Sequence, residues 1–164
     1  MGKLVNNLLF LPALLLFSLL FTSCGGKVFY EKIEPIPDET WNIDSVLHFE
    51  FEVTDSMQFF NIYFDIRNSI EFETQNFYVF LTSQFPNGDI SRDTLGFVLS
   101  NPYGEWKGRG SGRLKDNQFL YKAKVRFPIC GIYKFSAVQG MRSDNVRGIS
   151  EFGMSLFYFE KDNL

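Results

Sequence analysis

Two residues have side chains of the kind that carry nucleophilic or metal-dependent chemistry, His48 and Cys130. Catalytic triads and zinc sites place histidine with companion groups at defined spacings. His48 is the only histidine, and it stands on the polar face of an alternating segment without such companions. Cys130 lies in a Pro-Ile-Cys-Gly turn, where no signature supplies the base that a catalytic thiol needs. We therefore expect a surface histidine and a small, partly buried thiol, with no catalytic and no metal site.

The segment from Gly104 to Arg113 combines four glycines, one tryptophan and three basic residues. It lacks the Gly-x-x-x-x-Gly-Lys-Ser/Thr spacing of a phosphate-binding loop. In one interpretation, Trp106 stacks on a partner or glycan that Arg109 and Arg113 also contact, so these three are the candidate binding residues. In the other, which we favour, the glycines permit a bulged edge strand and Trp106 packs inward.

Three further basic residues, Lys122, Lys124 and Arg126, alternate along a strand-like segment. This pattern is typical of a solvated strand face or of a sheet edge guarded against aggregation. Contact with an anionic partner or a lipid surface is the alternative interpretation.

The start of the chain indicates a covalent modification. Lys3 precedes an apolar run from Leu8 to Phe21, which is shorter than the roughly 20 residues of a membrane-spanning helix and is typical of a secretory signal. The run ends in Phe21-Thr22-Ser23-Cys24, which resembles the bacterial lipobox, where a peptidase cuts before a cysteine carrying a diacylglyceryl group. The sequence therefore predicts a signal peptide over residues 1–23, a lipid on Cys24 and a tether over residues 24–27. An ordinary secretory signal with an incidental cysteine is the alternative.

Residues 28–164 are predicted to form a single domain. Removing the signal peptide takes away one charged residue, Lys3, and changes the net charge from −3 to −4, whereas nucleic-acid binders are usually basic. Cys130 is the only cysteine after Cys24, so the domain has no internal disulfide. The chain contains 20 Phe, 7 Tyr and 2 Trp, and aromatic residues favour strands.

Apolar and polar residues alternate with a period of two from Val46 onward, as in Leu47–Val53. The run that starts at Phe77 is apolar on both faces and ends in a hairpin turn at Pro86-Asn87-Gly88-Asp89. The predicted strands are Val28–Tyr30, Leu47–Val53, Phe60–Ile66, Phe77–Phe85, Ile90–Leu99, Phe119–Phe127, Gly131–Phe135 and Glu151–Phe159, with Glu34–Pro37 an extended connection. About eight strands predict an all-β fold, an antiparallel β-sandwich with jelly-roll or immunoglobulin-like Greek-key connections.

Several short segments follow one another through nearly the whole mature chain in a recognisable order. They are Cys24, Val28–Glu31, Ile36-Pro37 with Trp41, Phe49–Asp55, Ile62–Asn68, Phe85–Gly88, Asp93–Leu95, Gly104-x-Trp106-x-Gly108-x-Gly110, Val125–Pro128, Gly131-x-Tyr133-x-Phe135 and Met141-Arg142. Their order and spacing resemble those of the gliding-motility lipoprotein H (GldH) family of Bacteroidetes.

This resemblance implies a lipid-anchored, non-enzymatic accessory protein of the cell envelope, associated with gliding motility and the secretion machinery linked to it. Its implied partners are the membrane and other envelope proteins, not nucleic acid, and it needs no cofactor besides the lipid. The family has no catalytic residues to carry over, and only its lipidated cysteine maps, onto Cys24.

Surface-displayed lipoproteins of this phylum resemble one another in an acidic cluster after the cysteine, which is absent from Gly25-Gly26-Lys27-Val28. We therefore expect anchoring in the outer membrane with the domain facing the periplasm. An envelope glycan-binding module that uses Trp106 is the alternative from a different functional class. An envelope hydrolase is disfavoured, because no nucleophile, base and orienting group can be named.

Overall fold

The computed structural model describes residues 26–159, so Cys24 and the predicted signal peptide lie outside the described residues. Between Gly26 and Phe159 the chain forms strands and one 3-10 turn, Pro37–Glu39, and it has no helix long and apolar enough to cross a membrane. The strands are β1 (Val28–Pro35), β2 (Thr40–Asn42), β3 (Leu47–Val53), β4 (Phe59–Ser69), β5 (Asn76–Gln84), β6 (Ile90–Val98), β7 (Leu114–Arg126), β8 (Gly131–Gln139), β9 (Asn145–Arg147) and β10 (Ile149–Tyr158).

Two four-stranded sheets make up the sandwich. The first has the order β1-β10-β4-β7 and the second β3-β8-β5-β6, while β2 and β9 form a separate two-stranded ribbon. The eight long strands pair antiparallel as nested couples, β1 with β10, β3 with β8, β4 with β7 and β5 with β6. Nested couples divided over two sheets are the arrangement of a jelly roll. The predicted all-β antiparallel sandwich is confirmed. Of the two predicted kinds of connection, jelly-roll and immunoglobulin-like, the structure has the jelly-roll kind.

Strict alternation sends one face of each sheet into an aromatic core. On β3, Phe49 and Phe51 are buried while the residues between and beside them are exposed. Phe152 lies at the centre, with its ring centroid 5.2 Å from that of Trp41 and 5.4 Å from that of Phe64. Each aromatic pair of this kind contributes about 0.5–1.5 kcal/mol beyond the burial of its surface. The packing of aromatic rings therefore stabilises this domain, whereas many exported domains are stabilised by disulfides.

The structure differs most from the sequence prediction at the end of β1 and at the start of β7, and β4 and β8 also extend beyond their predicted ends. β1 continues to Pro35, where an extended connection was expected, because β1 is an edge strand and an edge tolerates a residue without an N–H. β7 begins at Leu114, whereas the prediction began at Phe119. The first residues of β7 carry polar side chains, which obscure the alternating pattern of a strand in the sequence. The three-residue strands β2 and β9 were not predicted.

The described chain begins at one end of the sandwich, which we call the tether pole. In the first sheet, Val28 pairs with Phe157 and Phe59 pairs with Arg126. The start of β1 therefore lies at the same end as the start of β4 and the ends of β10 and β7.

The second sheet ends at the same pole. Its Val53 pairs with Gly131, and the short connections 54–58 and 127–130 join these ends to the first sheet. The hairpin turn 85–89 lies beside them, since a Cβ on Gly131 would meet the ring of Pro86. The opposite end, the far pole, carries the remaining long connections, residues 36–46, 70–75, 99–113 and 140–148, of which the first contains β2 and the last contains β9.

Candidate functional site

The indole of Trp106 lies half-buried against the hydrophobic core. Its backbone forms an isolated antiparallel bridge with Ser100, and the N–H of Lys107 donates to the carbonyl oxygen of Leu99 at 2.9 Å. The segment therefore folds back on the end of β6, and Trp106 lines neither of the two grooves described below. This is the inward packing of the favoured interpretation, and a binding role for Trp106 stays a prediction.

The next residues of the glycine-rich segment run along the free edge of β7. Arg109 exchanges two backbone hydrogen bonds with Asp116, of 2.8 and 2.9 Å. Gly110 has a φ of 116°, and a Cβ there would lie 2.8 Å from the carbonyl oxygen of Leu114. A residue with a Cβ would be strained at this positive φ and would clash with the carbonyl oxygen of Leu114, so the position requires glycine. The glycines thus let the segment cover an edge that would otherwise present unpaired backbone groups.

Arg113 is tied to a different part of the fold. Its guanidinium donates to both carboxylate oxygens of Glu39, which ends the 3-10 turn before β2. These hydrogen bonds hold the pKa of the Glu39 carboxyl below its ordinary value. Arg113 therefore ties the glycine-rich segment to the β2 region.

Arg109 and Lys107 line a groove of about 540 Å³ on the outer face of the first sheet, which we call the polar groove. On its floor, Arg67 donates to Asp116 at 2.5 Å and to Glu151 at 2.8 Å. The hydrogen bond to Asp116 raises the pKa of the Arg67 guanidinium. The floor thus carries an ion triad of one guanidinium and two carboxylates, with a net charge of −1.

Two further carboxylates line the polar groove: Glu31 forms no salt bridge within residues 26–159, whereas Asp65 is satisfied. Asp65 accepts hydrogen bonds from Ser155 at 2.7 Å and from Gln118 at 2.9 Å. A ligand that used these floor groups would have to break bonds that already exist. The structure therefore separates the three predicted binding residues into core packing by Trp106, groove lining by Arg109 and an ion pair by Arg113.

The outer face of the second sheet exposes aromatic side chains. Tyr78 and Phe80 on β5 are 42% and 51% exposed, and Val98 on β6 is exposed beside them. A Cβ on Gly96 would touch the ring of Tyr78, and one on Gly140 would touch that of Phe80, so both rings lie close to glycine backbone. We call Tyr78, Phe80 and Val98 the aromatic face. Its sequence signal was the run from Phe77 with apolar residues on both faces.

The aromatic face continues into an apolar groove of about 670 Å³ at the far pole. Its lining combines apolar side chains with two arginines and one carboxylate, namely Phe72, Tyr78, Met141, Val146, Arg142, Arg147 and Glu73. Neither guanidinium forms a salt bridge with a carboxylate of residues 26–159. The groove therefore offers apolar surface edged by two arginines outside any salt bridge, which outnumber its one carboxylate, Glu73.

The two residues considered for catalysis lie apart. His48 is exposed on the outer face of β3, with Nδ1 3.2 Å from the hydroxyl of Ser136. Cys130 is exposed, so the expectation of a partly buried thiol was wrong; its Sγ lies 3.5 Å from the carbonyl oxygen of Thr54 in the neighbouring turn. Within residues 26–159 no three His, Cys, Asp or Glu side chains are grouped to hold a metal ion.

Comparison with known proteins identifies relatives along most of the chain. The profile of the GldH lipoprotein family matches residues 28–156. The gliding motility lipoprotein GldH homolog of Christiangramia forsetii is 36% identical over 134 residues, which cover 81% of this chain and 82% of that protein. The gliding motility lipoprotein GldH of Flavobacterium johnsoniae is 27% identical over 158 residues, which cover 92% and 94%.

Solved structures show only remote likenesses. TmCBM61 in complex with β-1,4-galactotriose is 10% identical with a TM-score of 0.34, and the match covers 83% of this chain and 92% of that one. Dimeric latent PorU from Porphyromonas gingivalis has the same identity and TM-score, over 86% of this chain and 14% of that one. Likenesses this remote carry no argument about function. The family match over most of the chain and the relative at 36% identity are decisive: the chain belongs to the GldH lipoprotein family.

Proposed function

We propose that this envelope lipoprotein is an accessory component of gliding motility and of the secretion machinery linked to it, and that it works by protein contacts rather than by catalysis. In this proposal, acyl chains on Cys24 anchor it in the outer membrane and the domain faces the periplasm. The gliding-motility names of both relatives support the cellular role. The lipobox-like sequence before Cys24 supports the anchor, and the absence of acidic residues in Gly25–Val28 supports the orientation.

The aromatic face is the observation that carries a protein-contact role. Tyr78 and Phe80 project from a central strand of the sheet, where a soluble domain ordinarily places polar groups. Exposed apolar patches next to a groove mark interaction sites, and tyrosine is among the residues that dominate binding energy at protein interfaces. The same side chains contribute little to the core, because both point away from it.

The surroundings specify the chemistry of the partner. Arg142 and Arg147 edge the apolar groove, so a partner segment should combine apolar side chains with nearby carboxylates. The glycan-binding alternative needed an exposed Trp106 platform, and the half-buried indole gives it no support. One proposed docking surface therefore comprises the aromatic face and the apolar groove.

Site-specific photo-crosslinking tests this proposal. A benzophenone amino acid replaces Phe80 in the full-length protein expressed in its own host. The matched control replaces Leu120, which is 53% exposed against 51% for Phe80 but lies on β7 of the other sheet. We expect irradiation to join position 80, and not position 120, to proteins of the gliding or linked secretion machinery, identified by mass spectrometry.

Three outcomes would count against the proposal. Equal adducts from positions 80 and 120 would mean that the aromatic face has no selectivity. Retention of the protein on envelope polysaccharide, lost on Trp106→Ala, would favour the glycan-binding module. Ready digestion of the domain by protease added to intact cells would contradict the periplasm-facing orientation alone.

A further inference from the structure

The tether is too short to separate the tether pole from a bilayer. Lys27 is three positions after Cys24, and a fully extended chain spans at most about 3.6 Å per residue. The backbone at Lys27 therefore stays within roughly 11 Å of the acylated cysteine. This step rests on the acylation of Cys24 proposed above. The surface that surrounds Lys27 must then lie close to the lipid headgroups.

That surface is basic. Lys124 and Arg126, near the end of β7, are exposed at the tether pole together with Lys27. None of the three forms a salt bridge with a carboxylate of residues 26–159. Two acids of the adjoining turns accept hydrogen bonds from neutral donors, Asp55 from the N–H of Met57 at 2.8 Å and Asp89 from the side chain of Asn87 at 2.6 Å. Both keep their negative charge, and the three cations outnumber them.

Each of these cations lies over an aromatic ring. Lys27 Nζ is 5.1 Å from the ring centroid of Tyr158, and Lys124 Nζ is 5.3 Å from that of Phe159. The guanidinium of Arg126 lies 6.0 Å from the ring centroid of Phe59. Basic and aromatic side chains with polar tips and apolar bodies are the residues that occupy membrane–water interfaces.

Apolar side chains and a strained backbone complete the surface. Met57 is 67% exposed beside Arg126, and Ile129 is exposed in the turn between β7 and β8. Lys124 has a φ of 51°, a conformation that non-glycine residues adopt only at a cost. It sits where the register between β4 and β7 shifts, and its N–H donates to the side chain of Asn61 at 2.9 Å. This bulge directs Lys124 toward the ring of Phe159.

We propose that the tether pole, through Lys27, Lys124 and Arg126, docks on the anionic phospholipid headgroups of the membrane that holds the lipid anchor. The Debye length at physiological salt is about 8 Å, which is comparable to the reach of the tether, so the attraction acts across the remaining gap. Docking in this way directs the far pole and its apolar groove away from the bilayer, where a protein partner can reach them.

The exposed thiol of Cys130, in the tether-pole turn 127–130, makes the orientation measurable. The full-length lipidated protein carries a fluorophore on Cys130 and is reconstituted in vesicles that contain a lipid with a nitroxide on its headgroup. The vesicles are either phosphatidylcholine alone or phosphatidylcholine mixed with phosphatidylglycerol. A far-pole control carries the fluorophore at position 143, in the double variant Cys130→Ser, Ser143→Cys.

We expect strong quenching at Cys130 in the anionic vesicles and weak quenching at position 143. The triple variant Lys27→Glu, Lys124→Glu, Arg126→Glu should lower the docking equilibrium by about 100-fold or more, at roughly fivefold for each cation removed. Its quenching should fall to the level in phosphatidylcholine alone. The matched control reverses three exposed cations away from the pole, in Lys107→Glu, Arg142→Glu, Arg147→Glu, and should keep the quenching.

Added salt provides a test that does not depend on the folding of any variant, because it should lower the quenching of the unsubstituted protein to the level in phosphatidylcholine alone. The docking proposal would be overturned if quenching at Cys130 did not depend on phosphatidylglycerol, on salt or on the triple charge reversal. Equal quenching at positions 130 and 143 would also overturn it. Vesicle flotation is measured first and separates the two proposals. A protein that does not float with vesicles lacks the anchor, and then both proposals fail; a protein that floats without selective quenching refutes the docking alone.

Discussion

Arg113 donates two hydrogen bonds to the carboxylate of Glu39, a residue 74 positions earlier in the chain. The contact joins the last residue of the glycine-rich segment to the end of the 3-10 turn that leads into β2. Sequence reasoning placed Arg113 beside Trp106 and Arg109 as a binding group, because the three are neighbours in the chain. In the fold, the guanidinium of Arg113 is already engaged in this long-range ion pair.

This ion pair predicts a pH dependence of stability. The folded-state pKa of Glu39 lies below its ordinary value of 4.5, so the unfolded chain binds more protons between these two pKa values. The stabilisation is complete above pH 4.5 and is lost as the pH falls through the folded-state pKa. We expect the unfolding free energy to fall less on acidification in Glu39→Gln than in the unsubstituted protein, by urea denaturation followed with circular dichroism.

The effect should be small, because both side chains are accessible to solvent. Glu31→Gln is the control, since this exposed carboxylate forms no salt bridge within residues 26–159. The same pH profile for both variants would show that the Glu39 contact does not persist in solution.

Two glycines of the same segment should respond differently to alanine. Gly110 has a φ of 116°, and its added Cβ would meet the backbone oxygen of Leu114 at 2.8 Å, whereas Gly112 has open space around it. Gly110→Ala should lower the unfolding free energy by about 1–3 kcal/mol, and Gly112→Ala should change it by less than about 0.5 kcal/mol. Thermal or urea unfolding measures both. Similar costs for the two variants would contradict the close approach of the segment to β7.

The sequence predicted the strands whose alternation is uninterrupted, because a period of two places every second side chain in the core. Leu47–Val53 was located to the residue for that reason. The sequence could not show that β7 begins at Leu114, since the polar side chains of its first residues hydrogen-bond to β4 and to the glycine-rich segment instead of packing in the core. Nor could it order the strands, because strand order depends on pairings far apart in the chain.

Functional surfaces were harder to predict than the fold. The basic residues Lys122, Lys124 and Arg126 were recognised as an edge pattern, and β7 is an edge strand. Their proximity to Lys27 depends on the strand pairing of the first sheet, which places the start of β1 and the end of β7 at the same pole. A second aromatic row on β5 was present in the sequence, but alternation alone did not show which of its two faces is exposed.

The bulge at Lys124 predicts that stability and membrane docking can be separated. Lys124→Gly removes the cost of a φ of 51° and should raise the unfolding free energy by about 0.5–1 kcal/mol. The same change removes a cation and should reduce quenching at Cys130 in anionic vesicles. Lys122→Gly is the control in β7, where a negative φ makes glycine destabilising by about 0.5–1 kcal/mol. Equal destabilisation by both substitutions would show that the bulge stores no strain.

Phe77 and Phe80, three positions apart on β5, provide the sharpest test of the aromatic face. Phe77 is fully buried and contacts Trp41 and Phe97, so Phe77→Ala should cost about 3–5 kcal/mol of unfolding free energy. The ring of Phe80 points outward and lies close to the backbone of Gly140. Phe80→Ala should therefore cost only about 0.5–1 kcal/mol of unfolding free energy.

Urea denaturation of the two variants measures the difference. A stable Phe80→Ala protein that no longer supports gliding or secretion would show that the ring serves a partner and not the fold. A loss of stability as large as that of Phe77→Ala would make Phe80 a structural residue. In that case its exposure would have no bearing on function, and the proposed docking surface would shrink to the apolar groove beside Met141.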